Sequence, residues 1–275
     1  TRAAREQLVS GGASMAADLY VGMLQKCSVS AAECEVLFPS DPGAAFPGPD
    51  QLARYDGIAW TGCSLGVNDD TPEVRGQIQL ARDAFAAGIP SFGSCWAAQI
   101  AVVAAGGAVQ VNPNGREMGI ARKIQLTRAG RAHPLYQGKA NVFDAFISHD
   151  DEITHLPPGA TVLSRNAWTL VQSVCVHHLN GVFWGLQYHP EYDLHEIARL
   201  TFCRIPKLIG YGFFRDEDAA LRYIDELEAL HRDPTRKDIA WRLGIDADVM
   251  NDEVRLLEVR NWLQAMVMPG MRIRQ

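Results

Sequence analysis

The fold of this chain is best predicted from one stretch, Gly93-Ser94-Cys95-Trp96-Ala97-Ala98-Gln99. It follows a short extended run at residues 89–92 and precedes a run of small apolar residues at 100–105 that is typical of a helix. A cysteine placed between a strand and a helix is expected on a sharp turn that lifts its sulfur clear of the sheet. The positive end of the helix dipole then favours the thiolate. Because a lone cysteine is more often buried and inert, the prediction needs partners from elsewhere in the chain.

Composition sets the broad class of protein. The chain has 275 residues, a net charge of −6, 47% apolar residues and 21% charged residues. These values fit an ordinary globular chain of one large domain, or one domain with an appendage. They give no reason to expect nucleic acid or a membrane as partner, and neither a bilayer-spanning run nor a signal-peptide pattern is found.

The cysteine and histidine usage predicts neither a metal site nor a cofactor. Six cysteines are scattered without zinc-type spacing, which fits a reducing cytoplasm. His177-His178, and His149 with Asp150-Asp151, are tempting clusters, but their surroundings predict strand and water-facing loop. A redox pair of Cys63 with Cys95 is less favoured than a loop role for Cys63.

Hydrophobic periodicity predicts the elements of the first half of the chain. Helices are predicted at residues 1–27, 72–87 and 100–105, and strands at 33–38, 55–60, 89–92 and 108–111. Alternating strands and helices imply an α/β fold whose open, mostly parallel sheet is covered by helices on both faces. Such folds usually begin with a strand. Because this chain begins in a helical pattern, we predict that the first strand is missing, leaving a gap or an exposed edge.

The second half changes to short alternating runs, followed by a helical tail. Strands are predicted at residues 121–126, 142–147, 160–164, 170–177 and 181–187, and a helix at 191–208. Further helices at residues 216–275 carry apolar stripes that need a cover. The cover is either the chain's own domain or another chain. We favour its own domain, with part of residues 262–268 left exposed as a contact surface.

A second motif, Tyr188-His189-Pro190-Glu191, follows the strand predicted at residues 181–187. His189 and Glu191 are two residues apart, so in extended backbone they point to the same side. A carboxylate orients a neighbouring imidazole, and an imidazole draws the proton from a neighbouring thiol. His189 and Glu191 are therefore candidate partners of Cys95.

Together these motifs resemble the two signatures of class I, triad-type glutamine amidotransferases. The likeness is greatest to the glutaminase domain of GMP synthase and its stand-alone relatives. Residues 56–63, the segment Arg116-Glu117-Met118-Gly119 and the segment Ser148-His149-Asp150-Asp151 also resemble family segments. The likeness runs over residues 1–205 and leaves out the tail. It implies a flavodoxin-like fold, with an amidotransferase domain at residues 1–210 and a helical C-terminal extension at 211–275.

The resemblance also implies roles for individual residues. Cys95 would be the nucleophile, His189 the general base and acid, and Glu191 the carboxylate that orients His189. The backbone N–H groups of Cys63 and Trp96 would form the oxyanion hole.

Four further residues would bind the substrate: Gln99, Gly62, Ser148 and His149. The chain departs from the family at Ala97, where glycine is usual, at Gly62-Cys63-Ser64, where Gly-Gly-Pro is usual, and at Asp150, where glycine is usual. Backbone N–H groups survive these changes.

The resemblance implies a cytoplasmic enzyme that hydrolyses the side-chain amide of L-glutamine through a thioester and releases ammonia for a separate synthetase chain. Two alternatives remain open at this point. One is a stand-alone hydrolase of a γ-glutamyl amide, and the other is an inactive relative that only binds a partner. The C-terminal helices are a candidate surface for homo-oligomerisation.

Overall fold

A computed structural model describes residues 2–28 and 32–270. The N-terminal part contains helices α1 (Arg2–Ser10), α2 (Ala16–Cys27) and α3 (Pro49–Leu52). There follow, in order, β1 (Ile58–Trp60), α4 (Pro72–Ala87), β2 (Ser91–Ser94), α5 (Trp96–Ala104) and β3 (Ala108–Val111).

Strands dominate the middle of the chain: β4 (Glu117–Leu126), β5 (Val142–His149), β6 (Asp151–His155), β7 (Ala160–Arg165), β8 (Ser173–His178) and β9 (Gly181–Leu186). Helix α6 (Arg128–Ala132) and a 3-10 turn (Pro134–Tyr136) lie between β4 and β5. The chain then continues through α7 (Leu194–Phe202), α8 (Ile205–Gly210), α9 (Glu217–Arg232), α10 (Lys237–Leu243), α11 (Ala247–Met250), α12 (Asp252–Arg255) and α13 (Leu257–Trp262). A π-helical turn (Leu263–Val267) extends α13.

The main sheet has seven strands in the order β1-β2-β9-β8-β7-β4-β5, and β3 pairs with β6 in a separate ribbon. Strands β1, β2 and β9 are parallel, with Ala59 opposite Phe92 and Phe92 opposite Trp184. Their carboxyl ends therefore meet at one edge of the sheet, which is where ligands bind in open α/β folds.

The α/β fold is confirmed, with one correction to the pairing. Within the main sheet only β1, β2 and β9 are parallel to one another. The pairings from β9 through β8, β7 and β4 to β5 are antiparallel. The short alternating runs of the second half explain this. Strands joined by short loops pair as antiparallel neighbours, whereas parallel strands need a crossover.

The N-terminal predictions have mixed outcomes. Among the described residues no strand precedes β1, whose only partner is β2, so β1 forms the predicted exposed edge. The strand predicted at residues 33–38 is wrong, because this segment has no regular structure. Val36, Leu37 and Phe38 remain 45%, 41% and 37% exposed, and alternation stabilises a strand only where one face is covered.

Two predicted helices are each divided in two. The helix predicted at residues 1–27 breaks near Gly12, which adopts φ 86°. The helix predicted at 191–208 breaks between α7 and α8, where Pro206 stands in the first turn of α8. Proline lacks the N–H that a continuous helix would need there.

Local signals place α4 as predicted. The Thr71 side chain accepts a hydrogen bond from the Val74 N–H, Pro72 occupies the first turn, and Gly88 ends the helix with φ 72°. These are the cap and stop residues that helices prefer.

Helices cover both faces of the sheet. One face packs against α4 and α5, through residues such as Phe85 and Ile100. The other packs against α2 and α13, through Tyr20, Met23 and Trp262. No helix in the described ranges is long and apolar enough to cross a membrane.

The helical tail packs against the rest of the chain. Trp262 of α13 stacks on Phe92 of β2 with ring centroids 5.5 Å apart. Glu258 of α13 is fully buried and pairs with Lys139 at 3.0 Å. At the start of the tail, α9 packs on α7 in a third apolar cluster. Within residues 262–268 only Gln264 and Ala265 are exposed, so little of that segment is left as a contact surface.

Candidate active site

Cys95 lies on the sharp turn between β2 and α5. It adopts φ 54° and ψ −104°, a conformation that costs a non-glycine residue energy and that clusters at functional sites. Its N–H donates to the Leu186 carbonyl of β9 at 2.7 Å, which fixes the turn on the sheet. A Cβ at Gly93 would come within 2.5 Å of the Ala97 Cβ, so strand and helix can meet this closely only with glycine there.

His189 and Glu191 face Cys95 from the end of β9. The His189 N–H donates to the Phe146 carbonyl at 2.8 Å, and its Nδ1 lies 2.6 Å from Glu191 Oε1. Both side chains are 2% exposed. The Tyr192 ring stacks on the imidazole with centroids 4.1 Å apart and planes 4° apart. The ring of His189 is therefore fixed both in its plane and in its rotation.

The charge state of His189 follows from its neighbours. Burial by itself would lower the pKa of His189, but the Glu191 carboxylate and the Cys95 sulfur raise it to about 9. Glu191 occupies Nδ1, and the other ring nitrogen, Nε2, makes no hydrogen bond of normal geometry in the described chain. With this pKa the imidazole holds its proton at neutral pH, and Nε2 is the nitrogen that can exchange a proton with a substrate.

A chain of hydroxyl groups supports Glu191 from behind. Ser94 donates to its two carboxylate oxygens at 3.0 and 3.2 Å. Ser94 has one proton, so Tyr20 of α2 donates to Ser94 in turn. Burial and the charge of Glu191 raise the pKa of Tyr20 well above its usual value, which keeps this hydroxyl protonated. Sequence reasoning missed both residues. Ser94 at least lies within the cysteine motif, whereas Tyr20 stands in an unremarkable helical pattern.

The loop after β1 approaches the cysteine and the histidine from the other side. A Cβ at Gly62 would lie 2.9 Å from His189 Cε1 and 3.8 Å from Cys95 Cβ, so the loop backbone touches this pair. In the described chain, the backbone N–H groups of Cys63 and Trp96 are found in no hydrogen bond to another backbone group. Both donors therefore remain available beside Cys95.

Two predicted substrate-binding residues have partners inside the protein. The Gln99 amide donates to the Asp151 carbonyl at 3.1 Å and to Gln187 Oε1 at 3.4 Å. The His149 ring contacts the Asp151 carbonyl at 2.8 Å and the buried carboxylate of Glu117 at 3.2 Å. Both residues line the cleft. Their side-chain nitrogens, however, are bonded to groups of the protein, where they position the segment that contains Asp151.

Among the predicted substrate-binding residues, Ser148 contacts the Cys95 sulfur. Its backbone carbonyl lies 3.6 Å from Cys95 Sγ. Its hydroxyl accepts hydrogen bonds from Arg116 at 2.8 Å and from Arg204 at 3.0 Å. Sequence reasoning did not single out Arg204, which lies beyond the motifs.

The side chains of Cys95, His189 and Arg204 line one cleft of about 1600 Å³. Its walls include Cys95, His189, Ser148 and the N-terminal residues 32–40. The geometry defines a class of site: a thiol on a strand–helix turn faces an imidazole that a carboxylate orients. Such an arrangement suits nucleophilic attack on an acyl carbon.

Comparison with known proteins identifies the family. Residues 49–202 match the family described as glutamine amidotransferase class-I. The chain is 36% identical over 241 residues to a gamma-glutamyl-L-1-hydroxyisopropylamide hydrolase from a Pseudomonas species, a match that covers 86% of this chain and 80% of that protein. It is 34% identical over 113 residues to a GMP synthase from Thermomicrobium roseum, covering 41% of this chain and only 20% of that protein.

A solved glutamine amidotransferase from Methylobacillus flagellatus shares the fold, with a TM-score of 0.55 at 23% identity over 82% of this chain and 80% of that one. This chain belongs to the class I glutamine amidotransferase family. It is an amide-hydrolysing enzyme, as the sequence motifs predicted.

Proposed function

We propose that this enzyme hydrolyses the γ-amide of γ-glutamyl compounds, with Cys95 as nucleophile, His189 as general acid and base, and Glu191 as the group that orients His189. The observation that supports the proposal is the buried contact of 2.6 Å between His189 Nδ1 and Glu191 Oε1, which leaves Nε2 as the nitrogen without a partner in the described chain. A relative that only binds a partner would not need this arrangement.

The reaction proceeds in two halves. The Cys95 sulfur attacks the amide carbon, and the N–H groups of Cys63 and Trp96 stabilise the resulting oxyanion. Loss of one such donor typically costs about 3 kcal/mol of transition-state stabilisation. Protonated His189 gives its proton to the leaving nitrogen, so an amine or ammonia departs and a thioester remains. Water, which loses a proton to the same imidazole, then releases glutamate and restores the thiol.

We propose an N-alkylated γ-glutamyl amide as the preferred substrate. The match to the Pseudomonas hydrolase extends over 86% of the chain, whereas the match to the GMP synthase covers 41%. The cleft also continues from Cys95 and His189 toward residues 32–40, where a substituent on the amide nitrogen would lie. A free thiol nucleophile suits a reducing compartment, and all six cysteines are unpaired, so we place the reaction in the cytoplasm.

The second candidate substrate is L-glutamine, with ammonia passing to a separate synthetase chain. The partial match to GMP synthase, a glutamine-hydrolysing enzyme, favours it. In this case the tail would contribute to the contact with the synthetase.

Substrate competition separates the two candidates. The purified enzyme is incubated with γ-glutamyl isopropylamide, γ-glutamyl ethylamide or L-glutamine, and glutamate release is measured. We expect kcat/KM to be at least about 10-fold higher for the alkylamides, because the enzyme gains transition-state binding from the alkyl group. A preference for glutamine would support the second candidate. Failure to hydrolyse any of the three would contradict both and favour a role in binding alone.

A further inference from the structure

Arg204 stands between α7 and α8 and lines the same cleft as Cys95. The one hydrogen bond that its side chain makes in the described chain goes to the Ser148 hydroxyl, from Nη1 at 3.0 Å. It forms no ion pair with any carboxylate in residues 2–28 and 32–270. A half-buried guanidinium without a carboxylate is unusual, because burial of a charge is costly unless a counter-charge is present.

The neighbouring charges do not neutralise Arg204. Arg116 also contacts the Ser148 hydroxyl, but it forms an ion pair with Asp150. Lys207 adds a second contact to the same Asp150 carboxylate at 3.4 Å. Burial opposes ionisation of Asp150, but Arg116 and Lys207 hold the pKa of its carboxyl below the usual value. Two cations, Arg116 and Lys207, therefore share the Asp150 carboxylate, and Arg204 has no carboxylate partner in the described chain.

The shift in the pKa of Arg204 agrees with this imbalance. Burial lowers the pKa of Arg204, the nearby Tyr192 opposes this, and the positive charge of Arg116 lowers it further. An anion placed beside Arg204 would stabilise the charged guanidinium and offset the cost of its burial.

Arg204 lies within reach of a γ-glutamyl group bound at Cys95, because both side chains contact Ser148. Ser148 connects the two ends of the site, since its carbonyl lies 3.6 Å from Cys95 Sγ and its hydroxyl 3.0 Å from Arg204 Nη1. The amide carbon and the α-carboxylate carbon of a γ-glutamyl group are about 5 Å apart when extended, because four C–C bonds of about 1.5 Å join them. An attack distance of about 3 Å at one end and a charge-assisted hydrogen bond of about 2.8 Å at the other complete the span.

From this geometry we infer that Arg204 binds the α-carboxylate of the γ-glutamyl substrate and so selects amides that carry a free carboxylate. The inference rests on the proposed function and adds the residue that recognises the far end of the substrate. The Arg204 guanidinium donates to one oxygen of the substrate carboxylate and keeps its hydrogen bond to the Ser148 hydroxyl. Arg116 remains paired with Asp150.

Kinetics with paired substrates provide the first test. L-Glutamine and a γ-glutamyl alkylamide are compared with their α-carboxamide derivatives, which lack the carboxylate. We expect Arg204→Gln to lower kcat/KM for the free carboxylates about 10- to 100-fold and to leave the α-carboxamides unchanged within about twofold. Arg204→Lys should recover part of the loss, since it keeps the charge but not the planar fork.

A matched control is Arg215→Gln, which removes a cation whose side chain is 82% exposed. It should leave both substrate classes unaffected. An equal loss for carboxylates and carboxamides in Arg204→Gln would overturn the inference, because the residue would then act on the site as a whole. If Arg204→Gln does not fold, the wild-type preference for carboxylate over carboxamide and the Arg204→Lys variant decide the question.

Binding to the inactive Cys95→Ala variant tests the subsite apart from catalysis. Calorimetry with L-glutamate, and with glutamate whose α-carboxylate is amidated, should show a preference for L-glutamate that disappears when Arg204→Gln is added. No preference in Cys95→Ala itself would overturn the inference. If the wild-type enzyme hydrolyses none of the substrates but this preference is present, the proposed function fails while the carboxylate subsite stands.

Discussion

Ser94 donates its hydroxyl to both carboxylate oxygens of Glu191, at 3.0 and 3.2 Å. Ser94, the residue before Cys95, thus positions the Glu191 carboxylate, and Glu191 in turn positions His189. Tyr20 of α2 donates to Ser94, which links the N-terminal helix to the same chain of hydrogen bonds. The family match begins at residue 49, so part of this support comes from outside the matched region.

Ser94→Ala should lower kcat about 10-fold, because a hydrogen bond to a charged group is worth about 1.5–3 kcal/mol. Tyr20→Phe should act in the same direction but less, since it touches Glu191 only through Ser94. The measurement is kcat with its pH profile. If Ser94 and Tyr20 only stabilised the fold, the two variants would lower stability and leave the pH profile of kcat unchanged. Ser10→Ala, which removes an exposed hydroxyl from α1, is the matched control.

Cys95→Ala and Cys95→Ser should abolish hydrolysis, with a loss of kcat on the order of 10⁶, while the fold survives. In the proposed mechanism this thiol forms the thioester. Release of glutamate and of the amine or ammonia measures the activity, and circular dichroism checks the fold. Cys203→Ser is the control, since the Cys203 thiol is free and does not line the cleft. Residual turnover in Cys95→Ala above the uncatalysed rate would rule out Cys95 as nucleophile.

The pH dependence should report His189. Its pKa is raised to about 9, so the protonated donor is present at neutral pH and is lost as pH rises through that value. We expect kcat/KM to fall above about pH 9. In Glu191→Gln the raising charge is gone, so the alkaline limb should move about 1–3 units lower. That variant should also lose less kcat than His189→Ala, because it removes the orienting group and not the proton carrier. An unmoved limb in Glu191→Gln would contradict this assignment.

Gly62→Ala should reduce activity without unfolding the protein. The added Cβ would lie 2.9 Å from His189 Cε1, closer than real Cβ contacts occur, so the imidazole or the loop must shift. Misplacement of a reacting group by about 1 Å can cost about 100-fold in rate. Activity and thermal unfolding are measured together. The control is Gly22→Ala in α2, where the added Cβ meets nothing within 4 Å. Full activity in Gly62→Ala would show that the loop is not held against His189.

Trp262→Ala should lower the free energy of unfolding by about 3–5 kcal/mol, because it removes a buried aromatic ring that stacks on Phe92. Urea denaturation provides the measurement. Trp241→Ala is the matched control, since Trp241 is 85% exposed and should change stability by less than about 0.5 kcal/mol. If the two variants were equally stable, the tail would not be part of the core.

The sequence by itself determined the features that depend on neighbours along the chain. The cysteine turn, the His189–Glu191 pair and the ends of α4 all follow from residues within a few positions of one another. Caps, turn geometry and short helix periods are local interactions, so their residue types can be recognised without knowledge of the fold.

Only the tertiary structure decided which distant groups meet. Tyr20 and Ser94 are 74 residues apart, and Ser148 and Arg204 are 56 apart. The same holds for residues 33–38, whose alternating pattern pairs with no strand of the described chain. Strand pairing, burial of the tail and the charge around Arg204 depend on what packs against each residue. That is set by the free energy of the whole fold and not by local propensity.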